Sequence, residues 1–315
     1  MVSKPGTWRA KTGLKTMTMF RSDLLKGKRI LVTGGGTGLG REMADEYAKL
    51  GATVYICGRR GSVVEEAARE LSKANNTRVT ALECDIRVPD AVEDMMVRIF
   101  NEGPLDGLVN NAAGNFISRT KDLSPNGFNA IANIVFHGTF YVTLAAGKRW
   151  IDLKHKANVI SILTTWIWNG GPFTVPSAMS KAGINIMTKS LAVEWAPHNI
   201  RLNAIAPGPF PTKGAWERLN PGNLRSNAMG SETESSAGNP MGRVGQMHEL
   251  RNLATFLMAD GCDYLTGETI AIDGGGFLGG GGNFAQLSKL GDSDWEAVRN
   301  MIKSANDKDR AKRTV

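Results

Sequence analysis

Short runs of β-branched and other apolar residues recur along the central part of the chain, separated by stretches with apolar residues at helical spacing. Seven of these runs predict strands, at residues 29–33, 53–57, 78–83, 105–110, 157–162, 200–206 and 269–273. The stretches between them predict helices at 39–50, 62–74, 89–102, 122–153, 178–196 and 247–259. Each helix is long enough for a right-handed crossover between parallel strands. The pattern therefore predicts an α/β fold of Rossmann type, a doubly wound seven-stranded parallel sheet with helices on both faces.

Two regions interrupt this rhythm. Residues 207–245 are rich in Pro, Gly, Ser and Asn, as expected of a long substrate loop that moves over a ligand. Residues 273–282 contain seven Gly in ten positions and precede a predicted last helix at 292–305. Neither region is composed like a linker between independent domains, so residues 26–315 are predicted to form a single domain.

Positive charge is concentrated at the start of the chain. The formal net charge is +8, and no acidic residue precedes Asp23, whereas five Lys and Arg lie among apolar residues in 1–25. This basic extension suits a mitochondrial presequence, with a disordered tail as the alternative and the cytosol or another organelle as alternative destinations. The remaining chain has no long Lys/Arg runs and no apolar run of about 18 residues, so neither nucleic-acid binding nor a membrane span is predicted. The three widely spaced Cys predict no metal site.

A glycine-rich turn, "TGGGTGLG" at 33–40, joins the first strand to the first helix. Glycines let a backbone approach a pyrophosphate, and the N-terminus of the following helix favours its charge. The spacing departs from G-x-G-x-x-G, but the strand–turn–helix context indicates dinucleotide binding. The predicted contacts of this turn are Gly34, Gly36, Thr37, Gly38 and Leu39.

The residues after the second strand indicate which dinucleotide is bound. Arg59 and Arg60 stand where an enzyme that uses NAD carries an acidic residue, and a guanidinium there suits the 2′-phosphate of NADPH. A solvated pair of cations is the alternative. Asp85, after the third strand, is predicted to accept from the adenine amino group. "NNAAG" at 110–114 closes the fourth strand and supplies the predicted contacts Asn111, Ala112 and Gly114.

These motifs, with the Lys181 segment and "PGP" at 207–209, resemble the short-chain dehydrogenase/reductase superfamily over residues 26–275. More specifically, "NNAAGNFIS" (110–118), "VPSAMSKAG" (175–183) and "EWAPHNIRLNAIAPGPF" (194–210) resemble the mitochondrial-type 2,4-dienoyl-CoA reductases. The resemblance implies reduction of a 2,4-dienoyl-CoA to a 3-enoyl-CoA by NADPH in β-oxidation, through a dienolate. It also implies a homotetramer.

The resemblance assigns roles to individual residues. Lys181 holds the nicotinamide ribose, and Asn115 donates its amide to the thioester oxygen. Ser177 and Val135 stand where the wider superfamily has a catalytic Tyr and an Asn, and dienoyl-CoA reductases share both departures. Ser177 is expected to hydrogen-bond near the site. Further cofactor contacts are implied at Pro207, Gly208 and Phe210, and contacts to the CoA portion at Arg87, Phe116, Ser124 and Arg218.

One position departs from the closest pattern. Trp166 occupies the place, fifteen residues before Lys181, where the mitochondrial members carry a Tyr that shares the dienolate with the Asn. Indole is a hydrogen-bond donor without usable acidity, so Trp166 is able to stabilise the dienolate but not to pass on a proton. Alternatively, Trp166 and Trp168 only wall the acyl pocket. Two other functions stay open: a related short-chain reductase acting on another enoyl thioester, and a catalytically impaired NADPH or acyl-CoA binding protein.

Overall fold

The computed structural model describes residues 19–212, 239–279, 287 and 290–313. Contacts between residues group the chain into two units, Met1–Phe277 and Leu278–Val315. The first unit contains the whole sheet. The second contains a long helix at Asp292–Arg313, which continues beyond the end predicted from the sequence.

All seven predicted strands are present and pair in parallel, in the order β3-β2-β1-β4-β5-β6-β7. The strand order reverses between β1 and β4, which makes the carboxyl ends of these two strands the switch point of the sheet. Observed and predicted bounds differ by at most two residues. The strands are β1 Arg29–Thr33, β2 Thr53–Gly58, β3 Val79–Glu83, β4 Gly107–Asn110, β5 Ala157–Ile162, β6 Ile200–Pro207 and β7 Thr269–Ile272.

Helices connect the strands as predicted, except that one predicted helix is divided in two and two short helices were not predicted. The predicted helix 122–153 is divided into two α-helices by a π-helical turn at Asn133–Gly138, and it begins after the cap at Ser124. Two one-turn helices, α6 and α9, are too short to show a helical period in the sequence. The α-helices are α1 Gly38–Lys49, α2 Gly61–Asn75, α3 Pro89–Asn101, α4 Pro125–Ala132, α5 Thr139–Leu153, α6 Trp166–Asn169, α7 Val175–Glu194, α8 Met247–Met258, α9 Gly276–Gly279 and α10 Asp292–Arg313.

The sheet has a hydrophobic core on each face, because successive strand side chains point to opposite sides. Ile30 and Val32 of β1 pack in one core with residues of α1, α2 and α8, whereas Leu31 packs in the other with residues of α3 and α5. The largest fully buried side chain, Trp150, donates from Nε1 to the Leu105 carbonyl at 2.8 Å. Burial on both faces explains why the strand sequences are continuously apolar.

One helical stretch of the described residues, Pro125–Leu153, is long and apolar enough by length and composition to cross a membrane. More than half of its most apolar window is buried inside the fold. Val142 and Trp150 of this stretch belong to the core against the sheet. Core packing therefore accounts for its apolar composition.

Candidate active site

The turn after β1 and the segment after β4 are locked together at the switch point. Asn111 donates from Nδ2 to the carbonyls of Thr33 and Gly34, at 3.0 and 3.3 Å. Gly34 has φ +64°, and a Cβ there would lie 2.9 Å from the Cα of Ala112. A side chain at Gly40 would collide with the Asn111 amide. The glycines therefore serve the close approach of two backbone segments as well as the path of the turn.

Helix α1 begins with an N-terminus suited to an anion. Thr37 is its N-cap and makes no side-chain capping hydrogen bond, and the first turn contains no acidic residue. The first N–H groups of a helix lack intrahelical partners and carry the positive end of the helix dipole. Together with the left-handed φ of +57° at Gly38, this arrangement fits the pyrophosphate of a dinucleotide.

Two cations lie at the adenosine end predicted for the cofactor. Arg59 and Arg60 are exposed immediately after β2. Arg59 lies near enough to Asp85 to contribute to the lowering of its pKa. Because both residues are exposed, a phosphate can reach them.

Asp85 and Arg87, which the sequence assigned to different ligands, are paired with each other. Arg87 donates from Nε to Oδ1 of Asp85 at 2.9 Å and from Nη2 to Oδ2 at 2.5 Å. These hydrogen bonds are the main cause that holds the pKa of Asp85 below its usual range. In this conformation both oxygens of the Asp85 carboxylate accept hydrogen bonds from Arg87. For Asp85 to bind adenine and Arg87 to bind CoA, either the ion pair must separate or each residue must bind its ligand while still paired.

Lys181 lies on α7 beside the end of β5. Its Nζ donates to the carbonyls of Ile162 and Leu163, at 2.9 and 3.0 Å. Burial lowers the pKa of this amine to about 8. Ser177 is one helical turn earlier on the same face and is buried, and no hydrogen-bond partner of its hydroxyl lies among the described residues. Val135 is also buried, in the π-helical turn.

Asn115 is arranged as a donor. Its Oδ1 accepts from the backbone N–H of Phe116 at 2.9 Å, so the amide oxygen already has a partner. The Nδ2 group then keeps its two protons for another acceptor. Because Asn115 is only partly buried, an oxygen of a bound substrate is able to reach it.

Trp166 is the first residue of α6 and is partly buried. Its ring packs on Gly171, where a Cβ would lie 2.8 Å from the indole Cγ. Trp168 of the same helix stacks on Phe277, with ring centroids 4.6 Å apart and an interplanar angle of 25°. Trp166 thus follows β5 at the same edge of the sheet as Lys181.

Three other predicted contacts have packing or hydrogen-bonding roles within the fold. Gly208 packs against Asp273, where a Cβ would lie 2.6 Å from the Asp273 Cβ, and its N–H donates to Ile272 at 3.0 Å. Phe210 is only 7% exposed and packs on Gly245, so its ring belongs to the core. The Ser124 hydroxyl accepts from the Gly127 N–H at 3.0 Å as the cap of α4.

Other assignments are placed by their surroundings. Pro207 is the last residue of β6, and Phe116 lies beside Gly127. Gly114 faces Ile134, where a Cβ would lie 3.3 Å from its Cδ1. The predicted CoA contact Arg218 lies outside the described residues. Among the residues that are described, no group of His, Cys, Asp and Glu is able to hold a metal ion.

Thr33, which was not among the predicted contacts, connects β1 to β4. Its hydroxyl accepts from the N–H groups of Asn111 and Ala112, each at 3.0 Å, and donates to the Val109 carbonyl at 3.2 Å. The signal in the sequence was its position as the first residue of the glycine-rich turn, at the end of the first predicted strand. Thr33 fixes the segment that carries the predicted cofactor contacts.

Fold and site together define an α/β oxidoreductase with a nicotinamide dinucleotide site. The family described as Enoyl-(Acyl carrier protein) reductase matches residues 34–276. A solved short chain dehydrogenase from Bacillus anthracis is 40% identical, with a TM-score of 0.72 over 80% of this chain and 97% of that one. The chain belongs to the short-chain dehydrogenase/reductase family.

Two relatives carry more specific names. "Probable 2,4-dienoyl-CoA reductase decr-1.2 [(3E)-enoyl-CoA-producing]" of Caenorhabditis elegans is 42% identical, over 95% of this chain and 96% of the relative. "Probable 2,4-dienoyl-CoA reductase [(2E)-enoyl-CoA-producing]" of Bacillus subtilis is 39% identical, over 81% and 98%. The resemblance seen in the motifs therefore extends over most of the chain.

The lowered pKa of Lys181 predicts that cofactor affinity depends on pH. Below about 8 the amine is protonated and, in its predicted place at the nicotinamide ribose, would attract the anionic cofactor; this attraction would be lost as the pH rises through about 8. The dissociation constant for a reduced nicotinamide dinucleotide, measured by fluorescence titration, should rise by up to about tenfold per pH unit above that value.

Two variants separate this effect from general alkaline damage. Lys181→Met should bind more weakly at pH 7 and lose the inflection, whereas Lys73→Met, which alters an exposed lysine of α2, should keep it. An identical inflection in Lys181→Met would assign the titration to another group.

Proposed function

We propose that this protein is an NADPH-dependent reductase that converts 2,4-dienoyl-CoA thioesters to 3-enoyl-CoA in the β-oxidation of unsaturated fatty acids. The observation that carries the proposal is the donor arrangement of Asn115, whose amide oxygen is already occupied and whose Nδ2 group is left to bind an oxyanion. Lys181 supports it by placing an ammonium at the end of β5. The printed names of the two relatives point to the same reaction.

The residue at position 177 favours a conjugated thioester over an isolated carbonyl as the substrate of the reduction. Reduction of an isolated carbonyl leaves an alkoxide, which requires a proton donor at the oxygen. Ser177 is a buried hydroxyl with no acidic partner among the described residues, and it is a poor acid. A conjugated thioester instead spreads the charge into a dienolate, so the protein needs only hydrogen-bond donors at the oxygen.

Each side chain has a defined task in this reaction. Bound NADPH would supply the hydride for the terminal carbon of the diene. Lys181 would hold the nicotinamide ribose, while Asn115 and the indole N–H of Trp166 donate to the thioester oxygen as negative charge accumulates there. Because neither donor has usable acidity, the proton that completes the 3-enoyl product comes from solvent.

The first prediction of this proposal concerns Trp166. Purified protein should consume NADPH and the dienoyl chromophore at equal rates. Trp166→Phe should lower kcat by on the order of a hundredfold, the effect of losing one oxyanion donor, and Trp166→Tyr should retain activity. The measurement is absorbance of both chromophores in one reaction.

Trp295→Phe is the control, since it makes the same substitution on the exposed face of α10. An unchanged kcat in Trp166→Phe would support the alternative that Trp166 only walls the pocket. Tight cofactor binding without oxidation, across several acyl lengths, would contradict catalysis. Faster reduction of a 2-enoyl thioester would favour the related short-chain reductase, the reaction class named by the matching family.

Preference for NADPH over NADH is the second prediction. Exposed Arg59 and Arg60 suit a 2′-phosphate, because hydrogen bonds between two charged groups are stronger than neutral ones. Arg59→Ala should raise KM for NADPH by roughly 10- to 100-fold and leave KM for NADH within about twofold. Steady-state kinetics with both cofactors measures this.

Arg98→Ala provides the matched control, since Arg98 is an exposed arginine on α3. Equal effects of Arg59→Ala on the two cofactors would leave Arg59 and Arg60 as solvated cations.

Assembly into a homotetramer is part of the proposal. Exposed apolar side chains on α5 and α7, among them Phe140, Ile186 and Val193, provide surfaces that a second copy would cover. Sedimentation equilibrium should give the mass of four chains, and a monomer mass would contradict it.

Import into mitochondria stays a prediction from the charge of residues 1–25. A fluorescent fusion of that extension that remains in the cytosol would overturn it.

A further inference from the structure

An aromatic pair bridges the segments that follow β5 and β7. Trp168 of α6 and Phe277 of α9 stack with ring centroids 4.6 Å apart. The sheet places β6 between β5 and β7, so the pair spans the carboxyl end of β6, where Pro207 and Gly208 lie. Trp168 is 42% exposed, which leaves part of the stacked surface open.

The backbone segments that carry the two rings are anchored in the fold. The Asp273 carboxylate accepts from the N–H groups of Gly275 and Phe277, at 2.9 and 2.7 Å, and so fixes the turn that presents Phe277. On the other side, Ile167 of α6 packs on the small core that includes Leu163. The stack is therefore a preorganised surface, on which a ligand pays little to order the side chains.

Two further exposed apolar side chains lie on the segments that follow β4 and β5. Phe173 is 56% exposed and has φ +66°, and Ile117 is 38% exposed. The Phe173 carbonyl accepts from the Ser118 N–H at 2.9 Å, which joins the segment after β5 to the segment after β4. A bulky residue in the left-handed region is strained, and such strain is concentrated at ligand sites.

Charge and apolar surface are separated along the ligand-binding edge of the sheet. Arg87, which the resemblance assigns to the CoA portion, follows β3, whereas the aromatic pair follows β5 and β7. An acyl-CoA has the same polarity, with phosphates at one end and a hydrocarbon chain at the other. With its thioester at Asn115, after β4, the molecule matches this edge only when the hydrocarbon chain extends toward β5 and β7.

We propose that the stacked Trp168 and Phe277 bind the methyl-terminal part of the acyl chain and make the protein selective for longer chains. The position of the thioester in this inference rests on the proposed function. The aromatic surface removes methylenes from water, and each buried methylene increases affinity about fourfold. Contact with two or three methylenes accounts for a preference of more than tenfold.

The test measures binding without turnover. Protein saturated with NADP⁺ is titrated calorimetrically with butanoyl-CoA and decanoyl-CoA, which lack the diene. Trp168→Ala should weaken binding of decanoyl-CoA by about tenfold or more and change that of butanoyl-CoA less than about twofold. Trp168→Phe should restore most of the affinity for decanoyl-CoA.

Tyr264→Ala is the control, because Tyr264 is an exposed aromatic residue between α8 and β7, at the opposite edge of the sheet; it should bind both ligands as the unmodified protein does. Phe277→Leu is a second variant that keeps the apolar volume but removes the stack, and it should also selectively weaken decanoyl-CoA binding. Thermal unfolding confirms that each variant is folded.

Three outcomes would overturn the inference. These are equal losses for both ligands, no loss for either, and tighter binding of decanoyl-CoA to Trp168→Ala, which would make the stack an end wall. The proposed function is tested separately: chain-length-dependent binding without reduction of any 2,4-dienoyl-CoA would reject the reaction and leave the acyl site standing.

Discussion

Parallel pairing of all seven strands is the constraint on which the site depends. It brings every segment that follows a strand to one edge of the sheet, so that residues far apart in the chain meet there. At the switch point this requires two backbones to come within contact distance, which the missing side chain at Gly34 permits and the hydroxyl of Thr33 stabilises. This edge positions the glycine-rich turn, Lys181, Asn115 and Trp166.

The chemistry follows from which donors the edge provides. A buried serine at position 177 and an indole at position 166 leave the described site without a phenol. That combination is poorly suited to protonating an alkoxide and well suited to binding a delocalised anion. Asn115 is central to the proposal because a single backbone hydrogen bond occupies its amide oxygen and leaves the Nδ2 group as the donor.

Much of the fold was predictable from sequence, because strands buried on both faces are continuously apolar and the intervening helices are long and amphipathic. The places of the glycine turn after β1 and of Lys181 on the helix after β5 were predictable for a similar reason, since they follow from backbone context and from a motif. Pairing between side chains was not predictable from the sequence. The Asp85–Arg87 ion pair depends on rotamers, the Trp168–Phe277 stack joins distant segments, and α6 is too short to show a period. The burial of the Phe210 ring in the core was also not visible in the motif, which predicts only a cofactor contact there.

In the proposed reaction, hydride from NADPH is transferred to the far end of a conjugated thioester and the protein binds the resulting dienolate. The decisive experiment is reduction of a 2,4-dienoyl-CoA with NADPH deuterated at C4 of the nicotinamide, in light water. For the transferred face, mass spectrometry and NMR of the product should locate one deuterium at C5 of a 3-enoyl-CoA, with light hydrogen added at C2. Deuterium at C3, or a product without deuterium from either face, would contradict the account.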